Sequence, residues 1–223
     1  MTDARVSRPD RAIVDRLAKL PSATIANALD DVGKVINCPV ALRAVAPVMA
    51  FAGPAVTVEV IAADAGTFTS ADFRVGDIID AATAGDVIVV SAQGARSSTW
   101  GGMASLAAKV KGVAGLVVDG GVRDVDEMVE HQFPVFARHA VPTTGRTRLR
   151  VGAINVPVVI DGVEVEPGDV MVADSTGIVV VPHGDAALVA ELAEGYARDD
   201  AAAEKEIRNG LSFSEAMRKF KRI

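Results

Sequence analysis

Thr99–Glu127 reads TWGGMASLAAKVKGVAGLVVDGGVRDVDE, and this stretch decides the fold class. Ala104, Leu106, Ala107 and Val110 recur at helical spacing and predict a helix with an apolar face. Gly112 and Gly115 stop it. Leu116, Val117 and Val118 follow as a short, wholly apolar strand of the kind buried on both faces. Asp119–Asp124 then reads as a loop that opens a second helix. Open α/β sheets gather ligands where strands end and helices begin. Bare N–H groups at a helix start attract anions without charged side chains. The stretch offers two such starts, near Thr99 and near Asp124.

The second of these turns carries chemistry. Arg123 is able to grip a carboxylate or phosphate with a two-pronged fork. Asp124 is a suitable oxygen ligand for a hard divalent cation. Gly120 and Gly121 let backbone approach a ligand closely. A plainer reading is also open. Asp124 with Glu127 three residues on matches a capping box, which needs no ligand, and Arg123 is then a solvated surface arginine.

Upstream, Pro9–Leu20 reads as a helix on the spacing of Ile13, Val14, Leu17 and Leu20, and Ser22 caps a second helix that runs to Asp31. Asn27, Asp30 and Asp31 on that helix read from the residues as a solvated face. Val35–Phe51, with Pro39 and Pro47, reads mostly as loop. Pro54–Ala62 alternates as a strand, and Gly85-Asp86 turns into a buried strand, Val87–Val90. Ser91–Ser98 reads as a loop, in which Arg96 is an anion-binding candidate or simply exposed.

Downstream, His131 and His139 flank a strand at Pro134–Ala137 and lack metal-ligand spacing. Val141–Gly152 is a basic, turn-rich loop whose Arg146, Arg148 and Arg150 are solvated or meet an acidic neighbour. Asp161-Gly162 sits between two apolar runs and signals a hairpin. Gly168-Asp169-Val170 repeats Gly85-Asp86-Val87, which we read as shared turn chemistry. Asp185–Arg208 is a long helix, and Ser212 or Ser214 opens a last short one.

Composition narrows the classes. Half of the 223 residues are apolar and only 4% aromatic, so Ala, Val, Ile and Leu build the core. A net charge of −6 opposes nucleic-acid binding, which calls for a basic patch. The single Cys38 precludes an intramolecular disulfide and fits the reducing cytoplasm. Met1–Val14 is too polar for a signal peptide, and no apolar run is long enough to span a membrane. No lysine lies within an apolar strand, as a Schiff-base enzyme favours. A nucleophile elbow and a phosphate-binding P-loop are both missing, and Cys38 has no evident base partner. A metal-assisted route is what remains for an enzyme.

Gly102, twenty intervening residues, Arg123-Asp124, two more residues and Glu127 resemble the signature of the RraA-like family. Trp100-Gly101, Val117–Asp124, Pro167-Gly168-Asp169 and Asp174–Pro182 extend the resemblance, which runs from about Leu20 to Gly210. That family includes divalent-metal 4-hydroxy-4-methyl-2-oxoglutarate aldolases, which also decarboxylate oxaloacetate. It also includes the regulator of ribonuclease E. The resemblance implies an α/β fold, a swivelling β/β/α domain with mixed sheets and flanking helices. One such domain is expected over 1–223, with N-terminal helices at about 9–32 and a C-terminal helical segment at about 185–220. It implies assembly as a trimer or dimer of trimers with clefts between subunits, and it alone makes the helix carrying Asn27, Asp30 and Asp31 a cleft wall.

The resemblance also assigns roles. A 2-oxo acid places its carboxylate against Arg123 and the N–H groups of Gly101, Gly102, Met103 and Ala104. Asp124 holds a divalent cation, Mg2+ or else Mn2+ or Co2+, and with Arg123 forms the catalytic pair for pyruvate release. The aldolase subset is associated with an acidic residue at position 102, and Gly102 departs from it. Glu204 or Glu206 is either an exposed acid or one that reaches a neighbour's metal waters. The alternative is a non-catalytic regulatory protein like the ribonuclease regulator.

Overall fold

The computed structural model describes residues 6–34, 37–47 and 49–220. Asp3, Arg5 and Val35, which enter the expectations above, lie outside them. The chain runs α1 (Arg11–Leu17), α2 (Ser22–Asp31), β1 (Arg43–Ala44), β2 (Phe51–Ala62), a 3₁₀ turn (Ser70–Asp72) and α3 (Val75–Ala81). The signature region follows as β3 (Val87–Trp100), α4 (Gly102–Lys111), β4 (Gly115–Val122), α5 (Val125–Glu130) and β5 (Val135–Ala140). Then come β6 (Leu149–Ile154), β7 (Val158–Ile160), β8 (Val163–Val165), β9 (Val170–Ala173), β10 (Ile178–Val181), α6 (Ala186–Arg208) and α7 (Phe213–Lys219).

The main sheet has the order β1-β5-β4-β3-β2-β9-β10, with β6 also paired to β2. Its centre, β2 to β5, is parallel, and α4 and α5 make the crossovers between neighbouring strands. Parallel strands need such crossovers and bury both faces, which explains their unbroken apolar runs. Strand β2 turns mixed by pairing antiparallel with β9 through Phe51–Pro54 and with β6 through Val58–Ala62.

Two cores result. The larger lies around β2–β5 and includes Trp100, Phe133 and Phe136. The smaller joins α1, α2 and α6 to the sheet. Alternation along β9 and β10 divides them: Val170, Val172, Val179 and Val181 face the helices, while Met171, Ala173, Ile178 and Val180 face the larger core.

The Gly-Asp turns are the same device twice. Gly85 and Gly168 take φ of +89° and +97°. Asp86 accepts the Thr83 N–H at 2.7 Å, and Asp169 accepts the Glu166 N–H at 2.9 Å. The hairpin turn also matches expectation, since Asp161 and Gly162 both take positive φ, as a type I′ turn requires.

Several expectations are corrected. The supposed loop Ser91–Ser98 is strand, because β3 continues to Trp100 through three register shifts against β4. Asp119–Val122 likewise belongs to β4. Strand β5 reaches Ala140 and so contains His139, and β6 occupies the end of the basic loop. Within Val35–Phe51, Arg43–Ala44 pairs with β5. Ser22 is the first residue of α2, after an N-cap Pro21, and its N–H and hydroxyl both bond Asp174 at 2.8 Å. Helix α4 is turned the other way round from its apolar pattern. Gly102, Ser105 and Ala108 are buried, while Met103, Leu106 and Val110 are 75%, 37% and 80% exposed.

Candidate active site

The sheet brings both ends of the signature together at one edge. Strand β3 ends at Trp100, and Gly101 is the extended N-cap from which α4 starts. Next to it, β4 ends at Val122, and the Arg123 N–H donates to the Trp100 carbonyl at 3.0 Å. Asp124 then takes φ +58°, ψ +46°, a left-handed conformation that Asp tolerates better than most residues. That bend aims its carboxylate back at α4. Its Oδ2 accepts the Gly102 N–H at 3.2 Å and lies 3.4 Å from Arg123 Nε.

The capping-box reading fails on this geometry. The Asp124 side chain makes no capping hydrogen bond to α5. Glu127 lies over Gly102 instead. A Cβ built on Gly102 would meet Glu127 Cδ at 2.5 Å and its Cβ at 2.7 Å, with Oε2 nearer still. A Cβ on Gly101 would meet Asp124 Oδ2 at 2.5 Å and Arg123 Nε at 3.3 Å. The two glycines leave a shelf of bare backbone, and the Arg123, Asp124 and Glu127 side chains occupy the space above it. A side chain at 102 and the Glu127 carboxylate are alternatives for one volume. Spacing alone does not reveal that exchange, because it depends on how α5 packs against α4.

A cleft of about 180 Å³ opens here, and Gly101–Ala104, Arg123 and Asp124 all line it. Phe73, Val75 and Thr144 complete it from distant parts of the chain that carried no sequence signal. The bond from Gly102 to Asp124 removes one donor expected to face a carboxylate. The free first-turn N–H groups left by helix geometry are those of Met103 and Ala104.

The other candidates lie elsewhere. Arg96 lines a separate groove with Arg148, whose guanidinium donates to the Thr144 carbonyl at 3.3 Å. Arg150 lies over the Phe68 ring. Asp31 accepts from the Tyr196 hydroxyl, and neither Asn27 nor Asp30 lines the cleft. His131 and His139 do not line it either. Burial and then Asp30 push the Cys38 thiol up, away from the reactive thiolate. Glu204 pairs with Arg208 and Glu206 with Lys219.

A larger cavity, about 680 Å³, lies apart from this cleft, in a hollow between Glu59, Asp119, Arg138 and the hairpin turn at Asp161. Its arginine is already tied to both aspartates, at 2.6 and 2.7 Å. We favour the smaller cleft, because its charges face open space.

A family model described as RraA-like, Aldolase/RraA, matches residues 22–180. The chain belongs to the RraA-like family. A Halalkalibacterium halodurans relative, provisionally named a 4-hydroxy-4-methyl-2-oxoglutarate aldolase, is 31% identical over 92% of this chain and 93% of its own length. An uncharacterised Methanocaldococcus jannaschii protein is 52% identical over 38% of this chain, which spans 40% of that protein's length. Among solved structures, a Streptomyces coelicolor protein described as an unusual member of the RNase ES inhibitor RraA family superposes with a TM-score of 0.81. It is 29% identical, over 89% of this chain and all of that one. The mixed α/β fold with flanking helices is therefore the RraA-like fold. Among the described residues, no helix is long and apolar enough to cross a membrane.

Proposed function

We propose that this RraA-like chain is a divalent-metal-dependent lyase that cleaves a C–C bond of a 2-oxo acid and releases pyruvate. The observation behind this is the convergence of Arg123, Asp124 and Glu127 on the bare start of α4. The donor set fits a hard cation. It consists of carboxylate oxygens, and among the described residues no group of three His, Cys, Asp or Glu forms an all-protein cage. Mg2+ is typically held by one or two carboxylates and several waters. Mn2+ and Co2+ are the alternatives.

Asp124 would supply the carboxylate ligand. Glu127, standing where position 102 carries no side chain, would accept hydrogen bonds from water around the ion. When bound, the cation supplies Lewis-acid stabilisation of the charge that develops on the 2-oxo oxygen, worth several kcal/mol. Arg123 and the Met103 and Ala104 N–H groups hold the substrate carboxylate and fix the direction of the breaking bond. The electron pair left on the pyruvate half is shared by aldol cleavage and by oxaloacetate decarboxylation, so one site serves both. Pyruvate release from oxaloacetate and from 4-hydroxy-4-methyl-2-oxoglutarate, with Mg2+ and with chelator, tests the reading. No metal-dependent rate above background with either substrate overturns it.

A second reading has its own support. Met103 at the cleft, Val110 further along α4 and Val129 on α5 are apolar and exposed by 75%, 80% and 51%. Such a surface suits a protein partner, as in a regulatory protein. It equally suits a second copy of the chain in a trimer or dimer of trimers, joined by a repeated head-to-tail contact. A solution mass of about 23.0 kDa, that of one chain, rejects the oligomer.

A further inference from the structure

The junction between β3 and α4 contains a buried hydrogen-bond relay. The Trp100 Nε1–H donates to Ser105 Oγ at 3.0 Å, and the Ser105 hydroxyl donates to the Gly101 carbonyl at 3.1 Å. Trp100 is 2% exposed and Ser105 fully buried. The hydroxyl proton and one lone pair are thus committed inside the protein. Phe133 stacks on the Trp100 ring at 6.4 Å.

Backbone bonds converge on the same two residues. The Gly101 carbonyl also accepts the Ser105 N–H at 3.0 Å, and the Trp100 carbonyl accepts both the Arg123 N–H and the Ser98 hydroxyl. Two successive carbonyls therefore carry two bonds each. A serine that bonds back to the carbonyl four residues earlier is commonplace in helices and structurally minor. Here the bond has an added partner, the indole, and an unusual object. Gly101 has no side chain to hold its φ of −149° and ψ of −170°, and the room above it is taken by Asp124. Glycine rotates freely unless something outside it prevents that. A rotation at Gly101 would swing the Gly102, Met103 and Ala104 N–H groups together and release the bond from Gly102 to Asp124.

We propose that Ser105 is a positioning residue. By holding the Gly101 carbonyl it keeps the first-turn N–H groups of α4 aligned for the carboxylate of the 2-oxo acid and, through the Gly102 N–H, keeps Asp124 in place. This rests on the lyase reading above. The role predicts a loss of ground-state binding more than of turnover, because the donors for the substrate carboxylate move while Arg123 and Glu127 remain.

The test compares the full chain with Ser105→Ala and Trp100→Phe, using oxaloacetate with saturating Mg2+ and thermal melts. Both variants lose the indole bond and melt lower. Ser105→Ala also leaves the Gly101 carbonyl on the backbone N–H of residue 105 alone, so its KM rises about tenfold while kcat falls less than threefold. Trp100→Phe keeps the Ser105 hydroxyl on Gly101, and its KM stays within about twofold. Should the alanine variant fold poorly, Ser105→Cys weakens both bonds at similar volume and carries the same KM comparison. An unchanged KM in Ser105→Ala overturns the proposal, as does an equal rise in Trp100→Phe. A wild-type chain that releases no pyruvate overturns the lyase reading itself, and that outcome is seen before any variant is made.

Discussion

Two charged groups draw on the same strand and have opposite characters. Asp119, within β4, accepts from Arg138 Nε at 2.6 Å and from the Asp161 N–H at 2.8 Å. Asp161 in turn accepts from Arg138 and from the Ala41 N–H. That N–H leads in holding the Asp161 carboxyl below the ordinary range, against some desolvation, and Arg138 adds to it. Arg123 and Asp124, just beyond β4, share one 3.4 Å contact, Asp124 accepts the Gly102 N–H, and both face a cleft. The first group has spent its bonding capacity on the hairpin and the sheet. The second has kept capacity in reserve, on a left-handed backbone that Asp tolerates. Cavity size points to the first group, and unspent bonding capacity points to the second.

The largest expected effect tests the open group. Asp124→Asn keeps a side chain that tolerates the left-handed backbone and still accepts the Gly102 N–H. It removes the charge proposed above to hold a cation. Metal-dependent pyruvate release should fall by about 10²–10³-fold, with a melting temperature within about 2 °C of wild type because the side chain's one hydrogen bond survives. Retained activity would make Asp124 a structural residue and erase the contrast.

Arg138→Met should behave in the reverse way. It strands the buried Asp119 and costs about 2–3 kcal/mol of stability. The folded fraction should keep its turnover per molecule. A loss of kcat at low temperature, where the variant is folded, would show that the two groups are coupled.

The exchange between positions 102 and 127 sharpens the comparison further. Glu127→Ala should lower kcat/KM about tenfold, the effect of one misplaced water-ordering group. Gly102→Asp alone should be worse, because its Cβ meets Glu127. Combining the two changes should recover part of the loss. Kinetics on all three variants decide whether one acid occupies a single shared volume.

The smallest effect belongs to a carboxylate with a purely structural task. Asp174 is opposed most by desolvation, yet hydrogen bonds from Ser22, Thr176 and Gly177 together hold it below the ordinary range. A depressed folded value stabilises the protein above the unfolded carboxylate range, and the benefit is lost as pH falls through the folded value. Asp174→Ala should cost about 1 kcal/mol at pH 7, and denaturant melts should show the gap closing at acid pH. A constant gap would mean that the charge is not what matters there.

The meeting of Gly102, Arg123 and Asp124 was legible because open α/β sheets align strand ends with helix starts. The role of Glu127 was not, since a capping box and an inward-facing acid share one pattern. Helix α4 misled for a physical reason. Its apolar residues mark the outward face, while the face against the protein is Gly102, Ser105 and Ala108. The outer half of β3 misled because Gly94 and the polar residues around it break alternation. Its strand character comes from β4, through shifted register. The Gly-Asp turns and the Asp161-Gly162 hairpin read correctly, because their conformations are set within a few residues.

The left-handed backbone at Asp124 also narrows what evolution is able to try there. Glycine, asparagine and aspartate are the residues that sit in that conformation with little strain. Aspartate alone among them carries a charge, and a single base change in its codon gives asparagine or glycine. The mutations that this backbone accepts most readily are therefore the ones that take the carboxylate charge out of the cleft. A descendant of this chain is one nucleotide away from a folded protein with the same surface and without that charge.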